Sequence, residues 1–319
     1  MLLSPRHTAK EYLLHLLLLV LAFVTVTLAG VQWANKNPFE LENFSEGITY
    51  SVLLILMLGA HESGHYFAAW RKGAVASLPF FLPFPPFPGM LHFGTFGAVI
   101  RLRSQVRSSQ EIFDIGATGP IAGFLVSLSI LAIGFSTLPP IDFLYSIHPE
   151  YAQQSAIPTT GPAFGKTMIF SLMAWAFSPP GAFVPPMNEV YHYPFLCVGW
   201  FGLFVTAMNL IPVGQLDGGH ISSAMFGRRS RTIGLVSLGL LFLLGIGEFM
   251  PLLGLPFSWG WTGWLLWAGL LLAFTRGMKG RQELADLAPL DPQRRLVGWL
   301  CFLILVGSFA PTPFSFVIE

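Results

Sequence analysis

The stretch from Ile48 to Trp70 is apolar, long enough to cross a bilayer, and interrupted in its second half by His61, Glu62, Ser63, Gly64 and His65. A run of this kind must close its backbone hydrogen bonds within itself, so it has to be a helix. On a helix His61 and His65 lie one turn apart on the same face. Two imidazole nitrogens so placed can hold one metal ion, and Glu62 beside them can take a proton from a water that the metal activates. Ionisable groups inside a span are costly and mark function. The plainer alternative is a histidine pair satisfied in the core without a metal.

Composition sets the class. Hydrophobic residues are 53% of the chain and charged residues 10%, against about a quarter charged in a soluble domain. The expected fold is therefore an all-α polytopic membrane protein, a single integral membrane domain over 1–319. A net charge of +1 argues against a nucleic-acid partner. Cys197 and Cys301 lie far apart in apolar surroundings and read as two buried thiols.

Seven apolar segments stand out, at about 12–33, 48–70, 112–137, 194–212, 232–250, 258–276 and 295–311. The first follows Arg6 and Lys10 and is too long for a signal core, so a retained span is expected. The apolar piece 166–177 is too short to cross alone and suits a re-entrant or interfacial segment. With the N-terminus in the cytoplasm and seven crossings, 15 of the 17 basic residues fall on cytoplasmic segments, Lys36 and Lys166 being the exceptions. Seven spans, N-in and C-out, follow. Span two then runs inward, placing His65 roughly 8 Å from its cytoplasmic end.

A catalytic zinc takes three protein ligands and keeps one position open. Asp217, in the run from Asn209 through Pro212 and Gly214 to Asp217, Gly218, Gly219 and His220, supplies a carboxylate at the cytoplasmic end of span four. His220 is the rival, three residues on. Asp114, at the start of span three, reads as an ordinary acid at a helix N-terminus. Between Gly73 and Gly89 five prolines and four phenylalanines exclude a helix, and an aromatic loop at the cytoplasmic membrane face is expected. The run Phe96 to Leu102 is β-prone and, on soluble-protein habits, would be an ordinary short hairpin strand.

His61-Glu-Ser-Gly-His65 in span two, followed about 150 residues later by Asn209, Pro212, Leu216, Asp217 and Gly218, resembles the site-2 protease family of intramembrane zinc metalloproteases, peptidase family M50. Gly94-Thr-Phe-Gly97 is similar to that family's re-entrant β-loop, and Gly116, Gly119, Pro120 and Gly123 to its third-span glycine motif. The likeness covers about 45–230 as the catalytic core. Residues 73–103 would be the proline-rich loop and re-entrant element, and 231–319 the last spans. His192-Tyr-Pro194, Gly199-Trp200 and Leu290 to Arg294 look most like the branch related to the plant ethylene-dependent gravitropism-deficient-and-yellow-green proteins.

This resemblance implies one zinc per chain held by His61, His65 and Asp217, with Glu62 as base and then acid. Asn209 would hold the substrate backbone or the developing oxyanion, unless it serves only as an interhelical hydrogen bond. Gly94, Phe96, Gly97, Ala98, Val99 and Ile100 would bind the substrate strand. The external stretch 138–193 is too short and too aperiodic for a PDZ domain, so a member without one is expected. Partners would be membrane-spanning protein substrates in a lipid bilayer, cut near the cytosolic side. The short basic start, without a Ser/Arg-rich leader, points to a bacterial cytoplasmic membrane. A metal-binding transporter and a proteolytically silent membrane chaperone are the readings from other classes.

Overall fold

The computed structural model describes residues 8–87, 92–104, 108–275 and 289–317. Arg6, Pro88, Gly89, Arg107, Arg276, Lys279 and Arg281, which enter the loop and charge readings above, lie outside them.

Helix α1 (Ala9–Trp33) opens at Thr8, whose side chain accepts from the Glu11 amide while the Glu11 carboxylate accepts from the Thr8 amide. That reciprocal pair satisfies two amides that the first turn would otherwise leave bare. Helix α2 (Ile48–Arg71) follows a 3-10 turn, Leu41–Gly47. Then come the strands β1 (Phe80–Pro83) and β2 (Thr95–Val99), an antiparallel hairpin. Helix α3 (Ser109–Ser136) leads into α4 (Asp142–Ile147), β3 (Gly161–Phe164) and α5 (Met168–Phe177). Helices α6 (Pro194–Leu210), α7 (Asp217–Phe226), α8 (Arg229–Ile246), α9 (Gly263–Thr275) and α10 (Pro292–Ser308) complete the helical body, and β4 (Phe314–Val317) pairs antiparallel with β3.

The fold is mostly helical, with two small sheets among the described residues, as the apolar composition demands. Among the described residues four segments are long and apolar enough to cross a membrane: Ala9–Trp33, Leu41–Arg71, Ser109–Ser136 and Arg229–Leu253. The expected count of seven is not reached on length. Helix α6 has 17 residues, about 25 Å of rise, because the backbone turns extended at Ile211 and Pro212 removes the next amide donor. Helix α9 has 13 residues and α10 has 17, the latter starting at Pro292 in the first turn.

The proline-rich segment does not lie flat at one face. His15 Nδ1 meets the Pro79 carbonyl at 3.0 Å, the Thr25 hydroxyl donates to Gly94 O at 2.7 Å, and Trp33 Nε1 donates to His92 O at 3.0 Å. His15 and Trp33 stand near opposite ends of α1, about 27 Å apart along it. Pro79, Gly94 and His92 therefore lie against successive positions along α1, with β1 and β2 paired beside it. Prolines suit such a path because they bring no amide donor into an apolar setting, and the hairpin supplies partners for the remaining amides.

The two ends of the body differ. At one end Arg103 Nη2 lies 2.6 Å from Glu11 Oε1, and the loop after α2 pairs with residues 101–104. At the other, Trp33 packs edge-on to Phe164 at 5.6 Å and lies 6.0 Å from Tyr191, while Phe164 also meets Phe314 of β4 at 5.9 Å. The start of α1 and strand β4 thus occupy opposite ends of the molecule.

Candidate metal centre

Helices α2 and α3 approach so closely at this site that glycine is required on both. A Cβ on Gly64 would lie 2.5 Å from the Thr118 carbonyl oxygen. On α3, Gly119 faces the His65 ring and Gly123 the His61 ring; a Cβ on Gly119 would come within 2.1 Å of His65 Nε2, and one on Gly123 within 3.2 Å of His61 Nδ1. Gly116 leaves room for the helix after Asp217, since a Cβ there would sit 2.9 Å from His220 Cβ. The glycines at 116, 119 and 123 thus form a groove filled by the imidazoles of α2 and the start of α7.

Asp217 is delivered by a break. Helix α6 ends at Leu210, the segment through Pro212 and Gly214 reverses direction, and α7 restarts at Asp217. Gly214 has φ +58°, in the left-handed region that glycine enters without strain. A Cβ on Gly218 would lie 1.9 Å from the Leu210 carbonyl oxygen, so only glycine lets α7 start this close to the end of α6.

Three ligand atoms converge. His61 Nε2 and His65 Nε2 are 3.1 Å apart, and Asp217 Oδ2 stands 3.3 Å from the first and 3.4 Å from the second. Nitrogen and oxygen ligands about 2.0–2.1 Å from a tetrahedral zinc are separated by about 3.3 Å, so the triangle has the size of one face of such a tetrahedron. His65 Nδ1 faces the Ile115 carbonyl at 2.7 Å, which fixes the proton there and leaves a lone pair on Nε2 for a metal. All of His61, Glu62 and His65 are buried, with 4%, 7% and 7% of their surface exposed. Placing two imidazoles and a carboxylate at these distances in so dry a setting fits a resident cation and explains the donor set. His220 is not part of the triangle; it lies further along the wall of the same cavity.

That cavity measures about 1080 Å³. Glu62, Asn209, Asp217 and His220 line it from the helices, and Ala98, Val99 and Ile100 line it from the hairpin. Ile100, just past the end of β2, lines the same cavity wall region as Glu62 beside the histidines. The β-prone run was expected over 96–102. Strand β2 is instead Thr95–Val99, with a separate bridge between Ala76 and Leu102. Of the six residues expected to meet a substrate, Ala98, Val99 and Ile100 face the cavity. Gly94 does not: with φ +80° and its Cα against α1, a Cβ there would lie 2.5 Å from Thr25 O. Its role is helix contact. Phe96 is 73% exposed, and Gly97, at φ +104°, has nothing within 4 Å of a would-be Cβ.

The family model described as peptidase family M50 matches residues 49–246, which span α2 through α8 and include every residue of the triangle. The chain belongs to peptidase family M50. This member is 29% identical over 234 residues to the probable zinc metalloprotease EGY2, chloroplastic, of Oryza sativa subsp. indica, a match covering 70% of the chain and 39% of the relative. It is 33% identical to the probable zinc metalloprotease EGY1, chloroplastic, of Oryza sativa subsp. japonica, covering 67% of the chain and 33% of the relative. With EGY1 of Arabidopsis thaliana the identity is 28%, covering 83% and 42%. The chain thus spans well under half the length of these curated relatives. Their names agree with the branch that the motifs around His192, Gly199 and Leu290 resemble. They are chloroplast proteins by name and lend no support to a bacterial cytoplasmic membrane.

Two features of this M50 chain had no clear signature in the sequence. The contacts of Gly119 and Gly123 with the histidine rings depend on how α3 packs across α2; the sequence offered the likeness of Gly116, Gly119 and Gly123 to a third-span glycine motif, whose spacing of three and four residues keeps them on one helix face, but not the rings they meet. Asp114 is more than a helix-start acid. Its carboxylate takes Arg294 Nε at 2.7 Å, Arg294 Nη2 at 2.8 Å and Lys72 Nζ at 2.6 Å, joining the ends of α2, α3 and α10. A residue 180 positions away cannot be paired by local pattern.

Proposed function

We propose that this M50 chain is a zinc-dependent endopeptidase of the membrane interior that cuts membrane-spanning protein segments near the cytosolic side. One arrangement carries the reading: His61 Nε2, His65 Nε2 and Asp217 Oδ2 form a tetrahedron-sized triangle on the wall of a cavity shared with Glu62 and the end of β2. Zinc held there supplies a Lewis acid for the scissile carbonyl and lowers the pKa of a water toward about 7. Glu62, buried on the same helix face region, takes the proton of the attacking water and returns it to the leaving amine. Asn209 on α6 reaches the same cavity and holds the substrate backbone or the developing oxyanion.

The proposed topology is seven crossings with α1 starting in the cytoplasm, the short helices α6, α9 and α10 being among them. The placement of the α1 start and β4 at opposite ends supports an odd number. Fifteen of the 17 basic residues then lie inside. The site sits on the inner half of α2.

The test separates ligands from base. Purified wild-type chain and the variants His61→Ala, His65→Ala, Asp217→Ala and Glu62→Gln are assayed for zinc and for cleavage of a single-span protein in proteoliposomes. The three ligand variants lose zinc and cleavage together, whereas Glu62→Gln keeps zinc and loses cleavage. Zinc loss in Glu62→Gln with retention in Asp217→Ala overturns the assignment.

A further inference from the structure

A second cluster of ligating side chains lies at the opposite end of the molecule. His148 follows α4, and Glu189 precedes and His192 ends the 3-10 turn that leads into α6. Helix α6 and its 17 residues separate this cluster from the reversal that carries Asp217, about 25 Å along the axis.

The three side chains aim at one point. His148 Nε2 and His192 Nε2 are 3.0 Å apart, and Glu189 Oε2 stands 3.5 Å from His192 Nε2 and 3.8 Å from His148 Nε2. The surroundings orient Glu189 and His148 from behind and leave Glu189 Oε2 without a hydrogen bond. Glu189 Oε1 accepts from the Asn188 side-chain amide at 2.8 Å and from the Tyr151 hydroxyl at 3.2 Å. Glu189 Oε2 makes no hydrogen bond, although the residue is only 1% exposed. His148 Nδ1 pairs with Glu150 Oε1 at 3.2 Å, and its ring stacks on Tyr151 at 4.6 Å, so Nε2 is the atom presented to the cluster.

A single proton shared between the two imidazoles would satisfy their facing Nε2 atoms but leave Glu189 Oε2 buried and unpartnered. A divalent cation in the triangle answers all three atoms at once. The carboxylates and donors behind the ligands are the outer partners that fix ring orientation at metal sites. Two imidazoles and a carboxylate suit a borderline transition metal, with zinc the best match among common ions. The His148 side chain is 16% exposed, which gives an ion a way in from solvent.

We propose that His148, Glu189 and His192 form a second zinc-class metal site, distinct from the catalytic triangle, that fastens the loop between α3 and α6 to the start of α6. Residues 148 and 189 are 41 positions apart. A cross-link between them closes most of this loop and fixes where α6, the helix carrying Asn209, enters the body.

The experiment counts metal in the purified full-length chain. Wild type carries two equivalents of zinc, and the His61→Ala/His65→Ala variant retains one. Adding His148→Gln to that variant removes the remaining equivalent, and His148→Gln alone leaves one. Because the His148 side chain is partly exposed, this change is the mildest of the three; each variant is accepted only if its gel-filtration profile matches wild type. As a check that needs no substitution, cobalt(II) titrated into metal-free wild type saturates at two equivalents. A His61→Ala/His65→Ala chain that elutes as wild type yet holds no zinc and takes up no cobalt(II) overturns the second site, whatever the wild-type total. Loss of zinc from that double variant down to one equivalent tests the catalytic triangle separately, so the two assignments stand or fall independently.

Discussion

Gly119 and His65 touch: a single methyl group on the glycine would lie 2.1 Å from His65 Nε2, well inside any allowed contact. The atom it would strike is the one that points at Asp217. The backbone of α3 is therefore as much a part of the metal centre as the three ligands. Replacing Gly119 by Ala is expected to rotate His65 off its position and weaken zinc binding by about 100-fold or more, at the upper end of losses seen when groups supporting a ligand are removed. Overpacking alone costs about 1–3 kcal/mol, which a folded chain tolerates. Zinc content and thermal midpoint measured together check this. Full zinc occupancy in Gly119→Ala would mean that α3 can withdraw from α2.

A second expectation concerns Asp114, whose carboxylate joins Lys72 and Arg294. All three side chains are partly exposed, at 21% for Asp114, 30% for Lys72 and 27% for Arg294, so screening limits what each pair contributes. The Asp114–Arg294 contact is two-pronged, which places it among the stronger surface pairs. A double-mutant cycle with Asp114→Asn and Arg294→Gln is expected to give a coupling of about 1 kcal/mol in denaturation of the detergent-solubilised chain. A coupling of zero would leave α10 held by its apolar packing, in which Cys301 and Ile304 share a cluster with Phe113, Leu210 and Ile221.

The histidine pair was legible because four residues make one helical turn, whatever the rest of the chain does. Asp217 was legible by chemistry, as the carboxylate nearest a broken span, and by its distance from the first motif. Nothing local announced the contact of Gly119 with His65, the arms of Asp114, or the meeting of His148 with Glu189 and His192, because each joins residues that are distant in sequence. The course of the Pro79–Pro83 segment along α1 was equally hidden. Proline and phenylalanine exclude a helix there, but whether the chain lies across a membrane face or enters beside a helix depends on the Thr25 and Trp33 side chains, which belong to another element. Span lengths were overestimated for α6 because hydropathy continues past Leu210 while the backbone does not.

Topology gives a third prediction. Reporter fusions after residue 72 and after residue 229 are expected to read cytoplasmic, and fusions near 40 and 160 external. The pairing of β3 with β4 requires residues 161–164 and 314–317 to share one side. A cytoplasmic signal at 160 would remove the seven-crossing arrangement and, with it, the assignment of the triangle to the cytosolic half.

The last prediction concerns how a helical substrate is opened for attack. A scissile carbonyl in a helix is shielded and its amides are already bonded, so the cleaved segment must be unwound beside Glu62. In an apolar setting each bare amide costs roughly several kcal/mol, and new partners have to be at hand. Among the described residues strand β2 pairs with β1 along one edge only, and its Ala98–Val99 end opens onto the cavity that holds His61, Glu62 and Asp217. An extended substrate laid against that second edge would bond in register by strand addition. Ile100, just past that edge, and Glu62 line one cavity, so a bound strand would arrive beside the reacting groups. Proline removes one amide donor at a time. A proline scan over residues 96–99 is expected to reduce cleavage at least about tenfold at alternate positions, where the amide points to the substrate, the loss of one charge-free hydrogen bond in a dry site. Zinc content should be unchanged at those positions. Positions whose amide points toward β1 are expected to lose thermal stability instead. Should every variant that keeps zinc also cleave at the wild-type rate, β2 is not the surface on which substrate is held.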